Sequence, residues 1–164
     1  WLKDVRVIRL LPNAVRIEAI PRLPIGQVRL DQWYPVDRDG FILPQGSPEP
    51  AQRLIRIAGC ERSAALKPGR GQPDERLRLA LRVLGALRRS PALLSRRVME
   101  INVADADGLR FVIDDGTEVR CGSEAELATH LKRLQATLRA ITRQHLAVQY
   151  IDLRYGEPVV GPRT

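Results

Sequence analysis

The chain of 164 residues is poor in the side chains that most often carry chemistry: two cysteines, two histidines, one methionine and few aromatics. Cys60 and Cys121 lie 61 positions apart and fit no Cys-x-x-Cys spacing, which excludes zinc-ribbon and thioredoxin-type motifs. They are read either as one disulfide in an oxidising compartment or as two buried thiols. His130 and His145 have no carboxylate or cysteine at a metal-ligand spacing. His130 reads as a surface histidine beside an apolar stripe, and His145 as a residue favoured by the negative end of a helix. Trp33-Tyr34 and Tyr150/Tyr155 are the close aromatic pairs, too few for a base-stacking platform and suited to strand packing. No apolar run approaches the roughly 18 residues that cross a bilayer, and no charged-then-apolar leader is present. The chain opens on Trp1 with no initiator Met, which is compatible with a fragment of a longer protein, and localisation is not read from it.

What the chain does have is positive charge. Its net charge is +8 with a pI near 10.4. Three of the 27 basic residues, Lys3, Lys67 and Lys132, are lysines, and the other 24 are arginines. The balance raises nucleic acid or an anionic membrane surface as a partner. A basic nucleic-acid-binding domain is therefore the alternative function. Along the sequence, however, the arginines are scattered and form no block.

Hydrophobic content of 44% supports a real core. Val5–Leu11 and Val15–Ile20 alternate apolar with charged residues around Pro12-Asn13, the pattern of a hairpin. Extended segments follow at 28–30, 33–36, 41–43 and 54–57, with a Pro- and Gly-marked loop at 68–73. Asp74 is placed to cap a helix whose apolar residues Leu77, Ala80, Leu81, Leu84 and Leu87 recur at helical spacing, with its end at Ser90-Pro91. Strands are predicted at 98–103, 109–113 and 117–121, with turns at 104–108 and 114–116. Ser123 and Glu126 form a capping-box pattern for a helix running to about Gln144, striped by Leu127, Leu131, Leu134, Leu138 and Ile141. Val148–Tyr155 reads as the last clear strand, and 156–162 as its short, proline-limited continuation. The fold class is α+β: a curved, mostly antiparallel sheet with two helices packed on one face, preceded by a β-hairpin.

No catalytic set emerges. The pairs Asp37/Asp39, Asp105/Asp107 and Asp114/Asp115 each stand just before a glycine, where side chains that bond their own backbone explain them. A calcium loop starting at Asp37 would need Glu at its twelfth position, which is Pro48. Gly69-Arg70-Gly71 lacks the Lys-Ser/Thr of a phosphate loop, and no serine or cysteine has a base at a recognisable spacing. The expectation is a protein without enzymatic activity, cofactor or small-molecule substrate. What remains is a sheet edge, and so protein binding.

Several stretches resemble the FtsQ/DivIB family of bacterial cell-division proteins. They are Trp1–Val7 with Leu11–Ile17; Pro21-Arg22-Leu23-Pro24; Val36-Asp37-Arg38-Asp39-Gly40-Phe41; Asp115-Gly116 with Cys121-Gly122; Leu131-Lys132-Arg133-Leu134; and Tyr150-Ile151-Asp152-Leu153-Arg154-Tyr155. The match lies in their order and spacing. The resemblance implies a single-pass inner-membrane protein whose anchoring helix lies upstream, with this region periplasmic. Residues 1–28 would be the last strands of a POTRA domain and residues 29–164 the family's β domain. It further implies a divisome scaffold that binds FtsB, together with FtsL, by strand addition at its C-terminal edge. The partner-binding residues would be Tyr155, Glu157, Val159, Val160 and Gly161. Pro158 and Pro162 cannot donate to an incoming strand and would shorten that edge. Asp152 and Arg154 are read either as partner contacts or as a pair that fixes the strand.

Overall fold

The computed structural model describes residues 1–61, 63–71, 73–104 and 108–163. Strands β1 (Leu2–Leu10) and β2 (Ala14–Pro21) pair antiparallel and form a two-stranded sheet of their own. Their apolar residues stay largely uncovered: Val5, Val7, Val15, Ile17 and Ile20 are all exposed.

The remaining strands build one eight-stranded sheet. They are β3 (Pro24–Arg29), β4 (Trp33–Asp37), β5 (Ile55–Ala58), β6 (Val98–Asn102), β7 (Leu109–Ile113), β8 (Glu118–Gly122), β9 (Val148–Asp152) and β10 (Val159–Pro162). Their spatial order is β10-β9-β8-β7-β6-β5-β3-β4. β3 pairs with both β4 and β5, so the break between the two sheets falls between Pro21 and Pro24. Asp105 and Asp107, with the turn expected around them, lie outside the described residues.

Helix α1 (Glu75–Arg89) joins the parallel neighbours β5 and β6, and α2 (Leu127–Gln144) joins the parallel neighbours β8 and β9. Both crossovers step the same way across the sheet from strands of the same direction. Right-handed connection therefore puts both helices on one face. The core confirms this layering. Val83, Leu84 and Leu87 of α1 and Leu127, Leu131 and Leu134 of α2 share one buried cluster with Ile101, Phe111, Val119 and Ile151. On β7 and β8, burial alternates with the pleat, so Arg110, Glu118 and Arg120 take the helix-free side.

Asp74 caps α1 as expected, its carboxylate accepting from the Leu77 N–H at 2.8 Å. The capping box of α2 does not close. A single 3-10 turn at Glu124–Glu126 precedes the helix, and the Ser123 hydroxyl donates to the Glu126 carboxylate instead of accepting from backbone. Once that tight turn takes the first residues, the serine oxygen no longer faces the free N–H groups.

One arginine ties the hairpin segment to the sheet. Arg22 donates from Nη1 to Asp37 Oδ2 at 2.6 Å while its guanidinium lies 3.9 Å from the centre of the Phe41 ring. Asp37 is 2% exposed, and its other oxygen accepts from the N–H groups of Asp39 and Phe41. Lys3 pairs with Asp39 on the outside of the same turn. Arg22→Ala leaves a buried carboxylate without its cation and is expected to cost about 2–4 kcal/mol in urea unfolding. Arg22→Lys should restore only part of this, because an ammonium does not stack on Phe41 as a planar guanidinium does.

Candidate functional site

The two edges of the large sheet differ. On the β4 edge a loop covers the backbone: Trp33 and Ser47 exchange N–H to carbonyl bonds at 2.9 Å, Leu43 donates to Pro35 at 2.8 Å, and Asp37 donates to Phe41 at 3.1 Å. On the other side, β10 pairs antiparallel with β9 and no described residue pairs with its outer flank. An open edge is a template for another strand.

The last strand differs from the sequence expectation. β9 stops at Asp152, the chain bends through residues 154–157, and β10 folds back on β9 instead of continuing it. The cause is local. The Asp152 carboxylate accepts from the backbone N–H of Arg154 at 3.1 Å and from its Nε and Nη2 at 3.0 and 2.7 Å, which curls the chain. Leu153 then buries completely and donates its N–H to the carbonyl of Arg120. The Asp152–Arg154 pair thus fixes the strand's end.

The five residues singled out in the sequence divide accordingly. Tyr155 and Glu157 sit in the bend. Tyr155 is 58% exposed, and its carbonyl accepts from Arg133 Nη1 on α2. Val159, Val160 and Gly161 form the edge strand itself. Val159 is 45% exposed, Val160 packs partly against the core, and Gly161 is buried. Gly161 lies against the Tyr150 ring, and a Cβ at that position would clash with the ring carbons. The guanidinium of Arg120 stands 4.6 Å from the centre of that ring and pairs with Glu118 at 2.7 Å.

The prolines of β10 have a direction. Arg163 donates its N–H to Ala147, on the β9 side. Main-chain groups of a paired strand face alternate sides, so Gly161 and Val159 also turn toward β9, and Pro158, Val160 and Pro162 turn outward. The two residues without an N–H therefore cost the β9 pairing nothing. They leave Val160 as the outward donor between them.

Beside this edge lies a hollow of about 290 Å³, lined by Leu138, Ile141, Leu146 and Ile151 with Arg96 and Arg163 among its polar residues. The sequence reading missed it as part of the site. The signal was the last two members of the α2 stripe, Leu138 and Ile141, which stay partly exposed where the sheet ends in a four-residue strand.

The histidines and cysteines are elsewhere. His130 is a core residue, 4% exposed, with Nδ1 at 2.6 Å from the carbonyl oxygen of Cys121; it is not the surface histidine expected. Its spacing to Leu127 and Leu134 places it on the helix face that meets β8. His145 is the exposed left-handed cap of α2, at φ 54°. Cys60 and Cys121 are free and buried, and burial pushes both thiols up to about 12. Of the two cysteine readings, the buried thiols hold.

The family model described as "Cell division protein FtsQ/DivIB, C-terminal" matches residues 26–154. The chain belongs to the FtsQ/DivIB family. It is similar to the "Cell division protein FtsQ" of Myxococcus fulvus, with 30% identity over 93% of this chain and 53% of the relative. The protein of that name in Anaeromyxobacter sp. (strain K) is 31% identical, and that in Syntrophotalea carbinolica 26%, over the same 93% of the chain and 51% and 54% of the relatives. The chain thus spans about half the length of the curated relatives it matches. The matched region of this FtsQ/DivIB domain runs from β3 to the bend after β9, so β10 lies just beyond it.

Two outcomes are expected from this geometry. Gly161→Ala forces the Tyr150 ring aside and should raise amide exchange of Val159 and of residue 161, whose N–H groups face β9, by about tenfold or more, with the α1 and α2 amides unchanged. The donors of Arg154 hold the Asp152 carboxyl below the usual carboxylate range. A lowered value in the folded state stabilises above the ordinary carboxylate pKa of about 3.9 and is lost as pH falls through the folded value. Asp152→Asn should therefore cost about 1–2 kcal/mol at pH 7. The gap to the unsubstituted chain should close in acid unfolding series below about pH 4.

Proposed function

We propose that this domain is a non-enzymatic scaffold of the bacterial division machinery, which holds FtsB, in complex with FtsL, by adding a strand of the partner to β10. The observation that carries this reading is the open outer flank of β10, set against a β4 edge that is already covered. Family membership and the relatives' names supply the cellular context. Main-chain bonds would give affinity, and the hollow at Leu138, Ile141 and Leu146 would take a side chain of the partner and give choice. Because Pro158 and Pro162 withhold donors, the partner strand would mostly donate, to the outward carbonyls of Pro158, Val160 and Pro162, and would accept from Val160 alone.

The same reading assigns the hairpin β1–β2 to the end of a preceding POTRA domain. An isolated two-stranded hairpin is marginal in water, and the uncovered Val5, Val7, Val15 and Ile17 call for a cover. It also places the domain on the extracytoplasmic side of the inner membrane, anchored by a helix upstream. Among the described residues no helix is long and apolar enough to cross a membrane.

Titration of an FtsB segment by calorimetry tests the proposal. Val160→Pro removes the outward donor without touching the β9 side, and Tyr155→Ala removes an exposed ring beside the edge. Each is expected to weaken binding by about tenfold, roughly 1.4 kcal/mol, with little change in melting temperature. Unchanged affinity in both variants overturns the edge reading.

A further inference from the structure

The arginines that look scattered along the chain are concentrated in space. Residues 75–97 and 124–145, the helical layer, hold 11 basic and three acidic side chains, while the rest of the chain holds 16 of each. The whole net charge of +8 is therefore on the helices. The sheet and its loops are neutral.

Part of that charge is used internally. Arg82 pairs with Glu124 at 2.7 Å and Glu75 at 3.3 Å, Arg96 pairs with Asp115, and Arg88 and Arg133 donate to backbone carbonyls. Arg89, Lys132, Arg139 and Arg143 are exposed and have no hydrogen bond or ion pair to another described residue. These four border a groove. Ser90 caps a single 3-10 turn at Pro91–Leu93, and α2 packs on that turn more than along α1. Two hollows result, of about 630 and 520 Å³, which share Pro91 and Gln135. The apolar lining comes from Ala86, Ala128, Leu127 and Leu131 in the first and Ala92 and Leu138 in the second. Arg89 and Lys132 line the first hollow from α1 and α2, and Arg139 and Arg143 line the second from α2. Small alanines on the facing surfaces keep the channel open. From Leu127 to Arg143 it follows α2 for about 24 Å, the length of a helix of about 16 residues.

We propose that this groove is a second docking site, distinct from the β10 strand edge although its far end adjoins the edge hollow at Arg96, Leu138 and Thr142, and that its occupant is an acidic amphipathic helix of a protein partner. The apolar lining accepts side chains at i, i+3, i+4 and i+7 of such a helix. The unpaired cations at its borders match glutamates or aspartates flanking that stripe, and they select against basic helices. A concave channel with basic borders fits an inserted helix better than a flat lipid surface.

The test uses this 164-residue chain and a labelled helical peptide of about 16 residues, with leucines at i, i+3, i+4 and i+7 and glutamates elsewhere. Controls are a scrambled peptide of equal charge and vesicles of phosphatidylglycerol, followed by anisotropy and sedimentation. The amphipathic peptide is expected to bind at least about tenfold more tightly than the scrambled one, and to weaken as salt rises from about 0.05 to 0.5 M. Arg89→Glu with Lys132→Glu, both exposed, should weaken peptide binding by about tenfold or more. The same double variant should leave FtsB-segment titration and melting temperature unchanged, so the groove and the edge fail or succeed separately. Equal binding of the scrambled peptide, no binding, or an unaffected double variant overturns the proposal. So does charge-dependent vesicle binding without peptide binding, which would make the layer a membrane-facing surface.

Discussion

A tyrosine ring lying on a glycine keeps the last strand on the sheet. β10 has four residues, one of them proline, and offers β9 few bonds of its own. Tyr150 closes over Gly161, Arg120 stacks on the ring, and Glu118 holds Arg120 in turn. Beyond the strand, Arg163 donates to the carbonyls of Ala147 and Asp115. The exposed edge thus depends on a chain of side chains that runs back into β8. An edge strand that is to receive a partner must itself stay in place, and here glycine is required because the ring needs its space.

The second constraint is handedness. Two right-handed crossovers between parallel neighbours put both helices on one face, and the other face is left to polar residues that pair among themselves, such as Arg56 with Glu100 and Arg110 with Glu118. The molecule therefore presents three unlike surfaces. One is a self-neutralised sheet face, one a strand edge with a nearby apolar hollow, and one a basic helical layer with a channel. Arg22, half-buried against Asp37 and Phe41, and Lys3, paired with Asp39, connect these to the hairpin.

Much of the fold is legible in the sequence because its signals are local. The stripes of Leu77–Leu87 and Leu127–Ile141 give both helices, Asp74 gives a cap, and the glycines after acidic turns give the meander. The end of β9 is not legible, since Val148–Tyr155 keeps strand-like composition throughout. Only the side chain of Asp152, reaching Arg154, stops the ladder. His130 appears polar in a list of residues and is core in space, because the helix turns it toward the Cys121 carbonyl. Of the candidate site, the residues from Tyr155 to Gly161 are proposed from a family resemblance, but which of them face outward depends on the fold-back of β10. The charge of the helical layer is hidden for the same reason: Arg89, Lys132, Arg139 and Arg143, up to 54 positions apart, come to border one groove only when both helices lie on one face.

Backbone amide exchange of the domain in complex with an FtsB segment addresses the edge most directly. Strand addition to β10 predicts new protection at the outward Val160 N–H, with little change at Gly161, whose N–H already faces β9, or along β4. Binding that leaves Val160 exchanging as in the free domain, with protection elsewhere, would contradict it.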